Sequence, residues 1–158
     1  MAVTTRVARP LLASMFIVGG IDSIRHPDAK AKKADKVGRS IAEVVGLPDD
    51  PVTLVRLNGA VQVAGGVLLA ANKLPRLASL ALAGSLVPTT LAGHPFWEEV
   101  DENAKKQQRT QFLKNMGMLG GLLLSATDTG GRPSLSWRAR KSAGRAADKV
   151  ADVLPDRS

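Results

Sequence analysis

Long apolar runs alternate with short charged segments along this chain, and that segregation predicts helices rather than strands. Four runs stand out, at residues 7–24, 52–71, 77–91 and 112–127. A hydrocarbon core of about 30 Å takes about 20 apolar residues, so the first, third and fourth runs span it only by recruiting flanking residues. The third leads into His94, Pro95, Phe96 and Trp97, and the two aromatics are read as interfacial anchors. Pro88 is expected to kink that helix.

The polar segments between the runs set the topology. Lys73, Pro75 and Arg76 allow only a hairpin, so the second and third spans are antiparallel neighbours. In the longer connection, residues 26–51, the apolar positions Ala34, Val37, Ile41, Val44 and Val45 recur at helical spacing. That stripe predicts an amphipathic helix lying at the interface or capping the bundle. The fourth helix is expected to begin near Asp101, with Glu102 and Lys106 four apart, and to stop at Asp128, Thr129, Gly130 and Gly131. Gly117 and Gly121 stand at the close-packing spacing.

Composition sharpens this picture where the averages alone mislead. A chain of 158 residues with a net charge of +8 and 44% hydrophobic residues suits a basic soluble domain, and a soluble helical bundle is the competing reading. Gly19, Gly20, Gly59, Gly65, Gly66, Gly84, Gly117, Gly120 and Gly121 decide against it. Each weakens a helix in water by roughly 0.5–1 kcal/mol, whereas in lipid the same residues let helices approach closely. The first run follows Arg6 and Arg9 as a secretory signal does, yet it leads into Ile21, Asp22, Ser23, Ile24 and Arg25 without a small-residue cleavage site. With no cysteine in the chain, disulfides, thiol redox chemistry and thiolate metal sites are excluded.

The expected fold is therefore all-α: an integral membrane four-helix bundle over residues 1–131, with an additional amphipathic interfacial helix and a basic C-terminal tail over 132–158. Lys and Arg slightly favour the side that holds both termini and the hairpin, so both termini are expected on the cytoplasmic side of a multi-pass protein of the cytoplasmic membrane. Arg132, Arg138, Arg140, Lys141 and Arg145 are read as a lipid-binding tail for anionic head groups. A single aromatic, Trp137, lies among these cations, too little of a stacking platform for a nucleic-acid surface.

Topology then sorts the ionisable and amide side chains. Asp22 and His26 close the first span, Arg56 and Asn58 open the second, His94 closes the third, and Lys114 and Asn115 open the fourth. All seven approach the extracytoplasmic end, where a charge is costly unless it pairs, faces water or snorkels. They are the candidate polar intramembrane cluster, with Asp22 expected to pair with Arg56 or Lys114. The plainer alternative leaves Arg56 and Lys114 snorkelling to head groups. The histidines are far apart, each precedes a proline, and no HExxH motif occurs, so no metal site is assigned. No nucleophile elbow, phosphate-cradling loop or glycosidase carboxylate pair is present, and Ser14, Ser85 and Ser125 read as helix-packing or back-bonding residues.

In the order and spacing of Arg9-Pro10, the run from Phe16 to Gly20, His26-Pro27, Asn58-Gly59 with Gly65 and Gly66, Pro75-Arg76, the stretch from Pro88 to Trp97, and Phe112, Lys114, Asn115, Gly120 and Gly121, the sequence resembles the DoxX family of small bacterial membrane proteins. The resemblance covers residues 9–128. It implies a four-helix protein of the cytoplasmic membrane, among whose relatives are a quinone-reducing subunit of thiosulfate oxidation and membrane partners of redox enzymes. Two functions follow as expectations. One is a non-catalytic membrane subunit or anchor supporting a redox or oxidative-stress enzyme, or a homo-oligomer. The other is an oxidoreductase subunit or carrier that handles a quinone or small anion in the polar pocket. No cofactor is identifiable from the residues, and a quinone is the one left open.

Overall fold

The structure, a computed structural model, describes residues 3–33, 50–128 and 141. The chain divides into two units, residues 2–128 and residues 129–158 with Met1, and every described residue but Lys141 belongs to the first. Among the described residues all regular structure is helical: α1 (Val3–Arg25), α2 (residues 27–33), α3 (Pro51–Ala70), α4 (Pro75–Gly93) and α5 (Glu102–Thr127). The all-α expectation holds. The amphipathic stripe from Ala34 to Val45 lies outside the described residues, as does the basic tail apart from an exposed Lys141.

Local chemistry accounts for where the helices begin. Asp50 is the N-cap of α3, its carboxylate accepting the Thr53 N–H at 2.8 Å and the Thr53 hydroxyl, with Pro51 in the first turn. The Thr53 hydroxyl and amide hold that carboxyl below its ordinary 3.8. Asp101 caps α5 in the same way, accepting the Ala104 N–H at 2.7 Å, where the sequence predicts the start. Between α3 and α4 the hairpin turns through two left-handed residues, Asn72 at φ 57° and Leu74 at φ 49°, before Pro75 opens α4.

The four long helices pack as consecutive antiparallel neighbours. The α1–α3 seam is the most extensive, α3–α4 and α4–α5 follow, and α1 and α5 touch only slightly. Glycine makes the first seam: a Cβ on Gly20 would lie 2.7 Å from the Gly59 carbonyl oxygen, and one on Gly59 would lie 2.8 Å from the Gly20 carbonyl oxygen. A Cβ on Gly66 would lie 2.7 Å from Ile17 Cγ1 and 3.3 Å from the Ala13 carbonyl oxygen. Close packing through Gly117 and Gly121 does not occur. Gly84, Gly117 and Gly120 have no neighbour within 4 Å of such a carbon, and Gly121 meets Leu12 at an ordinary 3.5 Å. The core is built from Ala13, Phe16, Leu69, Ala78, Leu82, Ala83, Leu86 and Leu122.

Two helices are long and apolar enough to cross a membrane, Thr5–Arg25 and Pro51–Ala70. Only 28% and 33% of their apolar windows is buried, so most of that surface faces outward. Outward positions include Val7, Leu11, Met15 and Val18 on α1, Leu57 and Val61 on α3, Leu77, Leu80, Val87 and Leu91 on α4, and Leu113 and Leu124 on α5. A water-soluble helix places charged and polar residues on that face.

Candidate functional site

Polar side chains converge at two places, and α4 organises the first. Pro88 withholds an N–H from the backbone ladder. Around it, Thr89 and Thr90 donate their hydroxyls back to the carbonyls of Ser85 and Leu86, each at 2.7 Å. These groups also reach across to the neighbouring helices. Toward α3, Asn58 donates to Thr89 Oγ1 at 3.0 Å and accepts from the Ser85 hydroxyl at 2.7 Å, while buried Gln62 donates to Thr89 Oγ1 at 3.5 Å. Toward α5, Asn115 donates to Thr90 Oγ1 at 3.0 Å, and the His94 ring meets Gln108 Oε1 through Nδ1 at 2.7 Å. A helix in an apolar surround gains about 0.6 kcal/mol on average from such a bond, up to about 1.7, so this ladder fixes the rotation of α3 and α5 about α4.

The second convergence lies at the opposite end of the bundle. Arg9 is 4% exposed, donating to Asp128 Oδ2 at 3.0 Å and to the Asn72 side chain. Arg76 donates its Nε–H to the Asp128 backbone carbonyl at 3.3 Å. One latch thus joins α1, the α3–α4 hairpin, the start of α4 and the C-cap of α5. An arginine buried this deeply demands a partner, because an unpaired charge there costs several kcal/mol. Beside the latch runs a crevice of about 430 Å³ between α1 and α5, lined by Arg9, Leu12, Gly121, Leu124, Ser125 and Asp128 among others.

Of the seven residues expected to converge, the structure brings three into the ladder: Asn58, His94 and Asn115. The other four are exposed. Asp22 pairs with neither Arg56 nor Lys114; its carboxylate is held by Lys30 at 2.6 Å and His26 at 3.2 Å. The cause is local: α2 begins straight after α1 and carries Lys30 back over the end of α1, where it also donates to Ser23 Oγ at 2.9 Å. Arg56 and Lys114 occupy outward faces of α3 and α5. Phe96 and Trp97 form an edge-to-face cluster with Phe112, with ring centroids 5.1 to 6.0 Å apart. Among the described residues no group of three metal-donor side chains is assembled.

Sequence reasoning missed the latch because it counted Arg9 as a flanking cation and Asp128 as a stop signal. The available signal was an arginine near the start of an apolar run, a position that asks for a named acidic partner. Residues 5–95, more than half of the chain, match the DoxX family, and the chain belongs to that family. Comparison with curated proteins and with solved structures gives no match. Family membership and the two apolar helices point to a membrane protein.

Proposed function

We propose, on the premise that the chain belongs to the DoxX family, that it is a four-helix integral membrane protein acting as a non-catalytic subunit or anchor for a redox or oxidative-stress enzyme system. The observation that carries this reading is the polarity of the bundle. Asn58, Gln62, Ser85, Thr89, Thr90 and Asn115 bond to one another between the helices, while the outer faces present leucine, valine and methionine. That arrangement suits hydrocarbon outside and helix-helix adhesion inside. The ladder's donors and acceptors are used in holding helices together, which favours a supporting role over a catalytic one.

In this reading the protein crosses the cytoplasmic membrane four times with both termini in the cytoplasm, and the basic tail lies against anionic head groups. Purification in a mild detergent tests the role. A soluble redox enzyme recovered in stoichiometric amount is the expected result. Recovery of the chain alone with a stoichiometric bound quinone overturns it in favour of a quinone-handling subunit.

A further inference from the structure

The crevice between α1 and α5 holds two buried polar groups that the fold leaves without partners. Arg9 uses its two terminal nitrogens on Asn72 and Asp128, but its Nε–H, shielded from water, makes no hydrogen bond. Ser125, one turn before Asp128 on the facing helix, is 9% exposed, and its hydroxyl makes none either. A buried donor left unsatisfied costs about 1–3 kcal/mol, and more when it is charged. Both residues line the same crevice, whose other walls include Leu12, Leu124 and Gly121.

Charge and surroundings narrow what could satisfy them. Among the described residues this end of the bundle gathers the cations Arg9 and Arg76 about one carboxylate, that of Asp128, so positive charge is in excess. The outer wall of the crevice is apolar at Leu124, among the most exposed aliphatic residues described. An occupant entering from that side brings an apolar body and a negatively charged acceptor head. The crevice, of about 430 Å³, is open to the outer surface of the bundle, as an occupant entering from that side requires.

We infer that this crevice is a binding site for one anionic phospholipid. Its phosphodiester sits at Arg9 and Ser125 and accepts from Arg9 Nε–H and the Ser125 hydroxyl as the slight α1–α5 contact parts to uncover them, and an acyl chain lies along Leu12, Gly121 and Leu124. The site rests on the membrane placement proposed above. Gly121 matters because it leaves room: a Cβ there meets Leu12 at 3.5 Å without displacing it, whereas a larger side chain fills the crevice.

The full chain, extracted in a mild detergent and incubated with equimolar palmitoyl-oleoyl phosphatidylglycerol and palmitoyl-oleoyl phosphatidylcholine, is read by native mass spectrometry. One phosphatidylglycerol is expected to survive per chain. Ser125→Ala should lower its occupancy roughly tenfold, the loss of one hydrogen bond to a charged group. Gly121→Leu should abolish it, while Leu80→Phe on the outer face of α4 should leave it unchanged, with circular dichroism confirming the helices in each variant. Equal retention of the two lipids overturns the site. So does phosphatidylglycerol that survives both crevice substitutions, as lipid held by the tail would, and so does displacement by equimolar oleate. Alkaline carbonate extraction of native membranes is scored separately: release of the chain sinks the membrane placement, whereas retention with an empty crevice sinks only the lipid site.

Discussion

Alanine at Gly20 and alanine at Gly117 should move stability in opposite directions. Both glycines lie within helices, where alanine is intrinsically favoured over glycine by roughly 0.8–1 kcal/mol. At Gly117 nothing lies within 4 Å of the new carbon, so that gain should appear nearly whole. At Gly20 the carbon would lie 2.7 Å from the Gly59 carbonyl oxygen, 2.9 Å from Val63 Cγ2 and 3.0 Å from Gln62 Cβ. The first contact is backbone, which cannot rotate away, so α1 and α3 must part along their seam. Overpacking of a fitted interior costs about 1–3 kcal/mol, and backbone contact belongs at the upper end. Subtracting the propensity gain leaves Gly20→Ala destabilised by about 1–2 kcal/mol. Denaturant unfolding in a single detergent, followed by far-ultraviolet circular dichroism, measures both. If Gly20→Ala unfolds like the parent chain, the helices do not meet through their glycines. If Gly117→Ala is destabilised as much as Gly20→Ala, the outer face of α5 is packed against something, and the open surface described here is wrong.

Asn58→Leu removes the bonds to Ser85 and Thr89 together, and should destabilise the bundle by about 1–2 kcal/mol in the same assay, whereas Arg56→Leu on the exposed neighbouring position should change little. Asp128→Asn leaves the buried Arg9 guanidinium without its carboxylate and should cost about 3 kcal/mol; adding Arg9→Met should return part of that loss, and strict additivity in the double-mutant cycle would refute the latch. The Asp50 cap predicts a sign for the pH dependence. Its folded-state pKa lies below the unfolded value, so its contribution is present above the ordinary 3.8 and disappears as pH falls through the folded value. Asp50→Asn should therefore flatten the acid limb of the stability curve, and an unchanged limb would show that the cap contributes nothing.

The positions of the long helices were legible in the sequence because the signals that set them are local. Apolar runs bounded by Asp50-Pro51, by the hairpin before Pro75 and by Asp101 mark where α3, α4 and α5 begin, and caps and prolines act on the backbone within a turn. The family resemblance was legible for the same reason, in the order of those marks along the chain. Which residues meet was another matter. Runs that are apolar on nearly every side carry little information about how each helix rotates about its own axis, and that rotation alone decides whether a glycine or a charge faces a neighbour. Gly20 and Gly59 became a seam while Gly117 stayed open, although all four long helices carry glycines. Asp22 found Lys30 because α2 turns back immediately over the end of α1. Arg9 and Asp128, 119 residues apart, meet only because four antiparallel helices return the end of α5 to the start of α1. No local pattern encodes that closure; it is decided by how the helices pack.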